Sequence, residues 1–72
     1  MSIRSRLSSN LRLLRLQRRW SQAELANHSG LECKTIRLIE SETALPTIED
    51  IDRIASALEV NCSDLLDEFE PE

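Results

Sequence analysis

One glycine in 72 residues leaves no glycine-rich loop to cradle a phosphate. One histidine, His28, cannot complete a metal site. The two cysteines, Cys33 and Cys62, match no zinc spacing, which takes about four ligands. The same shortage leaves no Ser/His/Asp set and no convergent polar cluster, so no catalysis, metal or cofactor is expected. With one Trp, one Phe and no Tyr, leucine and isoleucine must fill the core. No apolar run approaches the roughly 18–20 residues that cross a bilayer. Both thiols read as ordinary reduced cysteines of a cytosolic chain. The length corresponds to one domain near the lower limit for folding without staples. That domain covers residues 1–72, with a core over about 7–67 and an acidic tail over 68–72.

Charge is unevenly distributed. Residues 1–20 hold six arginines and no acid, residues 21–40 two cations against three acids, and residues 41–72 one against ten. The net charge of −4 therefore still allows a basic face on an acidic body, and a phosphate responds to the local field more than to the total. The arginine-rich start also mimics a transit peptide in composition. Leu11, Leu14 and Arg15, however, are needed by the domain itself.

Hydrophobic spacing gives helices throughout. Ile3, Leu7, Leu11 and Leu14 place a first helix over about Ser5–Arg18. A second runs over about Gln22–Ser29 and a third over about Cys33–Ser41. Thr47 as cap, with Asp50 three residues on, starts a fourth helix that turns Ile51, Ile54, Ala55 and Leu58 to one face. Asn61 and Asp64 repeat that logic for a short last helix carrying Leu65, Leu66 and Phe69. The tail frays at Pro71. Short loops and no repeats make this an all-α bundle of five helices.

Residues 20–39 are the most informative stretch. Ser21 and Glu24 have capping-box spacing, and Trp20 and Leu25 the spacing of a hydrophobic staple. Ala26 is small where a neighbouring helix must come close, and Gly30 stands where a helix ends in a left-handed residue. Leu31, Ile36 and Ile39 then turn the next helix inward, with Thr35 at the edge. That leaves Glu32, Cys33, Lys34, Arg37 and Leu38 facing out. Two short helices locked at an angle can push the second into a DNA major groove.

This stretch resembles the helix-turn-helix of the phage-repressor and Cro-like family of small DNA-binding transcriptional regulators. The likeness extends to Leu11, Leu14 and Arg15 upstream, and to the segments Leu45–Val60 and Asn61–Leu66 downstream. It implies a compact lambda-repressor-like bundle that binds a double-stranded operator as a homodimer, in the cytoplasm on a bacterial or phage genome. It places base contacts at Cys33, Lys34, Arg37 and Leu38. Lys34 and Arg37 have the chemistry for guanine O6/N7 or for a phosphate, whereas Cys33 and Leu38 offer weak or apolar contact. Gln22 falls at a phosphate-binding position on a helix N-terminus. Arg15 and Glu40 fall where the family pairs an Arg with a Glu, leaving the guanidinium near a phosphate. Structural support is the main role expected of Arg15. The dimer contact is implied near the last two helices, at Leu65, Leu66 and Phe69.

The chain also departs from that pattern. Its loop reads Ser41-Glu42-Thr43-Ala44 where relatives carry Gly and basic residues. Glu42 repels phosphates there, and Ser41 and Thr43 remain as hydrogen-bond donors. Glu32 is a poorer cap than Ser or Thr. Leu13 and Leu16 make a second apolar stripe on the first helix, either ordinary exposed leucines or a contact for a protein partner. That stripe and Glu42 keep open a second class, an interaction or antitoxin-like module with weak or no DNA binding. His28 reads as a solvated histidine on a polar face, and Cys62 as buried core.

Overall fold

Leu7 and Leu11, one helical turn apart, sit at the bottom of a small core to which every helix contributes. The computed structural model describes residues 3–66, with side chains from residue 5 onward. The helices are α1 (Ile3–Gln17), α2 (Gln22–Ser29), α3 (Cys33–Glu40), α4 (Ile48–Leu58) and α5 (Cys62–Leu66), with no strand among the described residues. α1 is displaced by a residue or two from the expected bounds, and α3 gives up Ser41 to its cap, differences typical of helix ends.

Local signals determine where the helices start. Ser21 Oγ accepts the Glu24 N–H at 3.0 Å while the Glu24 carboxylate accepts the Ser21 N–H at 2.8 Å. Thr47 and Asp50 repeat the box at 3.0 and 3.2 Å. The Asn61 N–H donates to Asp64 at the head of α5. α3 has no such box: Glu32 is its N-cap and makes no side-chain cap bond. α2 stops at Gly30, whose φ of 75° lets its N–H and that of Leu31 both return to the Ala26 carbonyl.

α1 lies against α3 and α5, α2 against α3 and α4, and α4 against α5. Leu25 and Ala26 of α2, Ile36 and Ile39 of α3, and Ile54, Ala55 and Leu58 of α4 close over the α1 leucines. Leu14, Trp20, Leu31 and Ile51 pack half-buried around them. Cys62, expected in the core, is half-buried at its edge, with Sγ 3.9 Å from Asp52 Oδ1. A polar first position on a short surface helix explains the difference.

α1 and the turn after it also cap α3, α4 and α5, a role that hydrophobic spacing does not reveal. Ser8 Oγ donates to the Glu40 carbonyl at the end of α3, at 2.6 Å. Asn10 Nδ2 donates to the Leu65 carbonyl at 2.8 Å, and Arg6 Nη1 to that of Leu66 at 3.4 Å, both at the end of α5. Arg18 Nη2 donates to the Leu58 carbonyl at the end of α4. The last carbonyls of a helix have no partner within it and carry its negative dipole end, so amides, hydroxyls and guanidinium groups suit them. The arginine cluster at the chain start is therefore only partly a basic face. Arg6, Arg15 and Arg18 turn inward to bind protein.

Candidate nucleic-acid interface

α3 presents two unlike sides. Ile36 and Ile39 are 0% and 1% exposed and hold it in the core, while Glu32, Cys33, Lys34 and Arg37 are exposed. Lys34 and Arg37, three residues apart, face solvent on the same helix, and neither has an ion-pair partner among the described residues. Leu38, expected to face out, is half-buried, and the turn after α3 folds back onto its backbone. The Thr43 and Ala44 N–H groups and Ser41 Oγ all donate to its carbonyl. The outward row is thus Cys33, Lys34 and Arg37, with Leu38 at its margin.

Glu40, at the other end of α3, is a buried carboxylate and a meeting point. Its side chain is 2% exposed. Oε2 accepts Arg15 Nε at 2.6 Å, and Oε1 accepts Arg15 Nη2 at 2.9 Å and Gln22 Nε2 at 3.2 Å. Arg15 Nη1 donates to the Trp20 carbonyl at 2.8 Å. The hydrogen bonds to Glu40 raise the Arg15 pKa above its ordinary value, against the opposing effect of burial, so the guanidinium stays charged. One ion pair therefore ties α1 to α3, and the Gln22 amide joins the first residue of α2 to the same carboxylate.

The remaining expected site residues are scattered. Ser41 and Thr43 are exposed, with their hydroxyl oxygens 2.7 Å apart. Glu42 beside them has φ 64° and accepts a hydrogen bond from Ser5 Oγ at 2.6 Å. Leu65, expected at a dimer surface, is 0% exposed and belongs to the core, since α5 turns it inward against α1. Leu66 is half-buried, and Phe69 lies outside the described residues. Leu13 and Leu16 are 48% and 55% exposed and line an open groove with Ser8, Arg12, Glu40 and Glu42.

Sequence reasoning missed three features. Leu45 and Ile48 are 58% and 86% exposed at the entry to α4, an apolar pair that the first-turn position of Ile48 foreshadows. His28 is exposed as expected but not alone: its ring stacks on Trp20, centroids 4.1 Å apart and planes 8° from parallel, with Arg18 over the same indole at 5.5 Å. Arg12 reaches toward Glu40, its Nε 3.9 Å from Oε1.

Known proteins share this arrangement. Residues 11–65 match the family described as helix-turn-helix. A hypothetical transcription factor of Neisseria meningitidis serogroup B is 34% identical over 64 residues, which are 89% of this chain and 60% of that protein. The chain thus spans less than two thirds of that relative's length. The crystal structure of the hypothetical transcription factor NHTF from Neisseria aligns with a TM-score of 0.87 at 34% identity, covering 90% of this chain and 75% of that one. The restriction-modification controller protein C.AhdI from Aeromonas hydrophila aligns with a TM-score of 0.83 at 27% identity, over 86% of this chain and 94% of its own. An HTH_3 family transcriptional regulator from Vibrio cholerae gives 0.83 at 30% identity, over 88% of this chain and 35% of its own.

Proposed function

The chain belongs to the helix-turn-helix family, and on that premise we propose that it is a DNA-binding transcriptional regulator, not an enzyme, that reads an operator half-site through α3. The observation that carries this reading is the pairing of a buried Ile36/Ile39 side with an exposed Lys34/Arg37 side whose cations have no ion-pair partner among the described residues. Lys34 and Arg37 serve as the base readers, with Cys33 and Leu38 adding apolar contact at the groove floor. Gln22 donates to the phosphate backbone, and Ser41 and Thr43 do so once their hydroxyls turn away from the Leu38 carbonyl and from each other, contacts that fix register without reading sequence. The relatives named above as transcription factors, a transcriptional regulator and a controller protein support the assignment.

One copy makes few contacts, so two copies on a two-fold operator, with half-sites about one helical turn apart, complete the reading. With Leu65 in the core, the surface we assign to the dimer is the exposed pair Leu45 and Ile48, together with half-buried Leu66 at the end of α5. No helix among the described residues is long and apolar enough to cross a membrane, and we place the protein in the cytoplasm on its operator DNA. A second reading, a module that binds a protein partner, is favoured by Leu13 and Leu16, which stand exposed one turn apart on α1.

A salt titration against random-sequence duplex separates the two readings. The DNA-binding reading requires log K to fall linearly with log salt as phosphate counterions are released. Absence of binding at low salt, or binding indifferent to salt, leaves the partner-binding reading.

A further inference from the structure

The structure assigns a phosphate-binding role to Arg12, one turn before the Arg15 expected to lie near a phosphate. This inference rests on the DNA-binding reading and deepens it. Arg15 directs three of its five N–H groups inward, one each from Nε, Nη1 and Nη2, and its side chain is only 11% exposed, which leaves it little reach toward an outside phosphate. Arg12 stands one turn earlier on the same helix. Its Nε is 3.9 Å from Oε1 of Glu40, beyond hydrogen-bonding distance, and its side chain is 60% exposed. Glu40 supplies one negative charge, which Arg15 already neutralises through two hydrogen bonds. The Arg12 charge is therefore not needed by Glu40, and the other acid of the groove, Glu42, is hydrogen-bonded to Ser5 Oγ.

The Arg12 charge lies beside a set of donors. The same Oε1 accepts Gln22 Nε2 at 3.2 Å, so the Arg12 guanidinium and the Gln22 carboxamide flank one oxygen atom. Glu40 takes one carboxamide hydrogen, and the second is left over. Gln22 opens the eight-residue helix α2, where Ser21 satisfies the Glu24 N–H and the Gln22 and Ala23 N–H groups have no partner among the described residues. Glu24, the acid of that first turn, is engaged with the Ser21 N–H. A guanidinium, a carboxamide N–H and two backbone N–H groups at a positive helix end suit a single phosphodiester of the DNA backbone. The other inward arginines, Arg6 and Arg18, are occupied by the carbonyls of α5 and α4.

The test is a fluorescence-anisotropy titration of random-sequence duplex over a potassium chloride series. It compares wild type with Arg12→Ala, Arg12→Lys and Arg19→Ala. Arg19 is the matched control, an exposed cation with no ion pair among the described residues and no link to Gln22 or Glu40. Arg12→Ala is expected to reduce the slope of log K against log salt by about 0.9, the value for one lost phosphate contact. Arg12→Lys and Arg19→Ala are expected to keep the wild-type slope, and the urea midpoint of Arg12→Ala to match wild type. A wild-type slope for Arg12→Ala, or an equal loss for Arg19→Ala, overturns the assignment while leaving DNA binding in place. If wild type shows no salt-dependent binding, the proposed function falls and takes this inference with it.

Discussion

Glu40 and Arg15 form a two-pronged ion pair, Nε to Oε2 and Nη2 to Oε1, with the carboxylate 2% exposed. Removing one partner leaves the other charge buried and unpaired, which costs about 3–5 kcal/mol. That is a large share of the ~5–15 kcal/mol that holds a small domain folded. Arg15→Met is therefore expected to lower the urea midpoint strongly or to unfold the chain. Arg15→Met combined with Glu40→Leu is expected to recover part of the loss. Urea denaturation of wild type and these two variants checks this, and a double variant no better than the single one contradicts it.

Asn10 is 4% exposed, and its amide serves the Leu65 carbonyl at the end of α5. Asn10→Ala strands that carbonyl, at a cost of about 1–3 kcal/mol. Because α5 has only five residues and α1 holds its end, the loss should fall first on α5. Amide hydrogen exchange is expected to speed up over residues 62–66 before the α2–α3 core responds.

Glu59 ends α4 with φ 59°, in the left-handed region where α2 uses Gly30. A side chain there costs roughly 1–2 kcal/mol of backbone strain, partly offset by glycine's larger chain entropy when unfolded. Glu59→Gly is therefore expected to raise the thermal midpoint by the equivalent of about 0.5–1 kcal/mol. The Arg18 pair that it removes, 3.4 Å long with Glu59 78% exposed, contributes little. Gly30→Ala is expected to move the midpoint down.

Ile48 is 86% exposed beside Leu45 at the entry to α4. If two copies meet there, Ile48→Ser shifts the protein toward monomer in sedimentation equilibrium while its circular dichroism stays unchanged. Equal association of variant and wild type would remove Leu45 and Ile48 from the interface.

The elements that show most plainly in the sequence are those set by local chemistry. The Ser21/Glu24 and Thr47/Asp50 boxes, the Gly30 stop and the inward Ile36 and Ile39 depend on neighbours a few residues away, and each is found where spacing puts it. Long-range partners are harder to read. Ser8 and Asn10 look like surface residues until α3 and α5 bring carbonyls to them across 32 and 55 residues. The early arginines look alike as letters, yet Arg6, Arg15 and Arg18 hydrogen-bond to protein while Arg12 stays largely exposed beside Glu40. His28 gave no sign of its stack, because Trp20 lies two turns before it and only the fold aligns the rings. Leu65 shows the same limit, since its periodicity fits either a core or an interface until α1 is in place.

Selection of duplexes from a random library shows whether α3 reads bases, with wild type run beside a Lys34→Ala/Arg37→Ala variant of unchanged thermal midpoint. If α3 reads bases through these two cations, wild type enriches a two-fold symmetric motif and the variant does not, each base-reading contact being worth about 1–3 kcal/mol. Enrichment of the same motif by both proteins, or of none by wild type, contradicts the account.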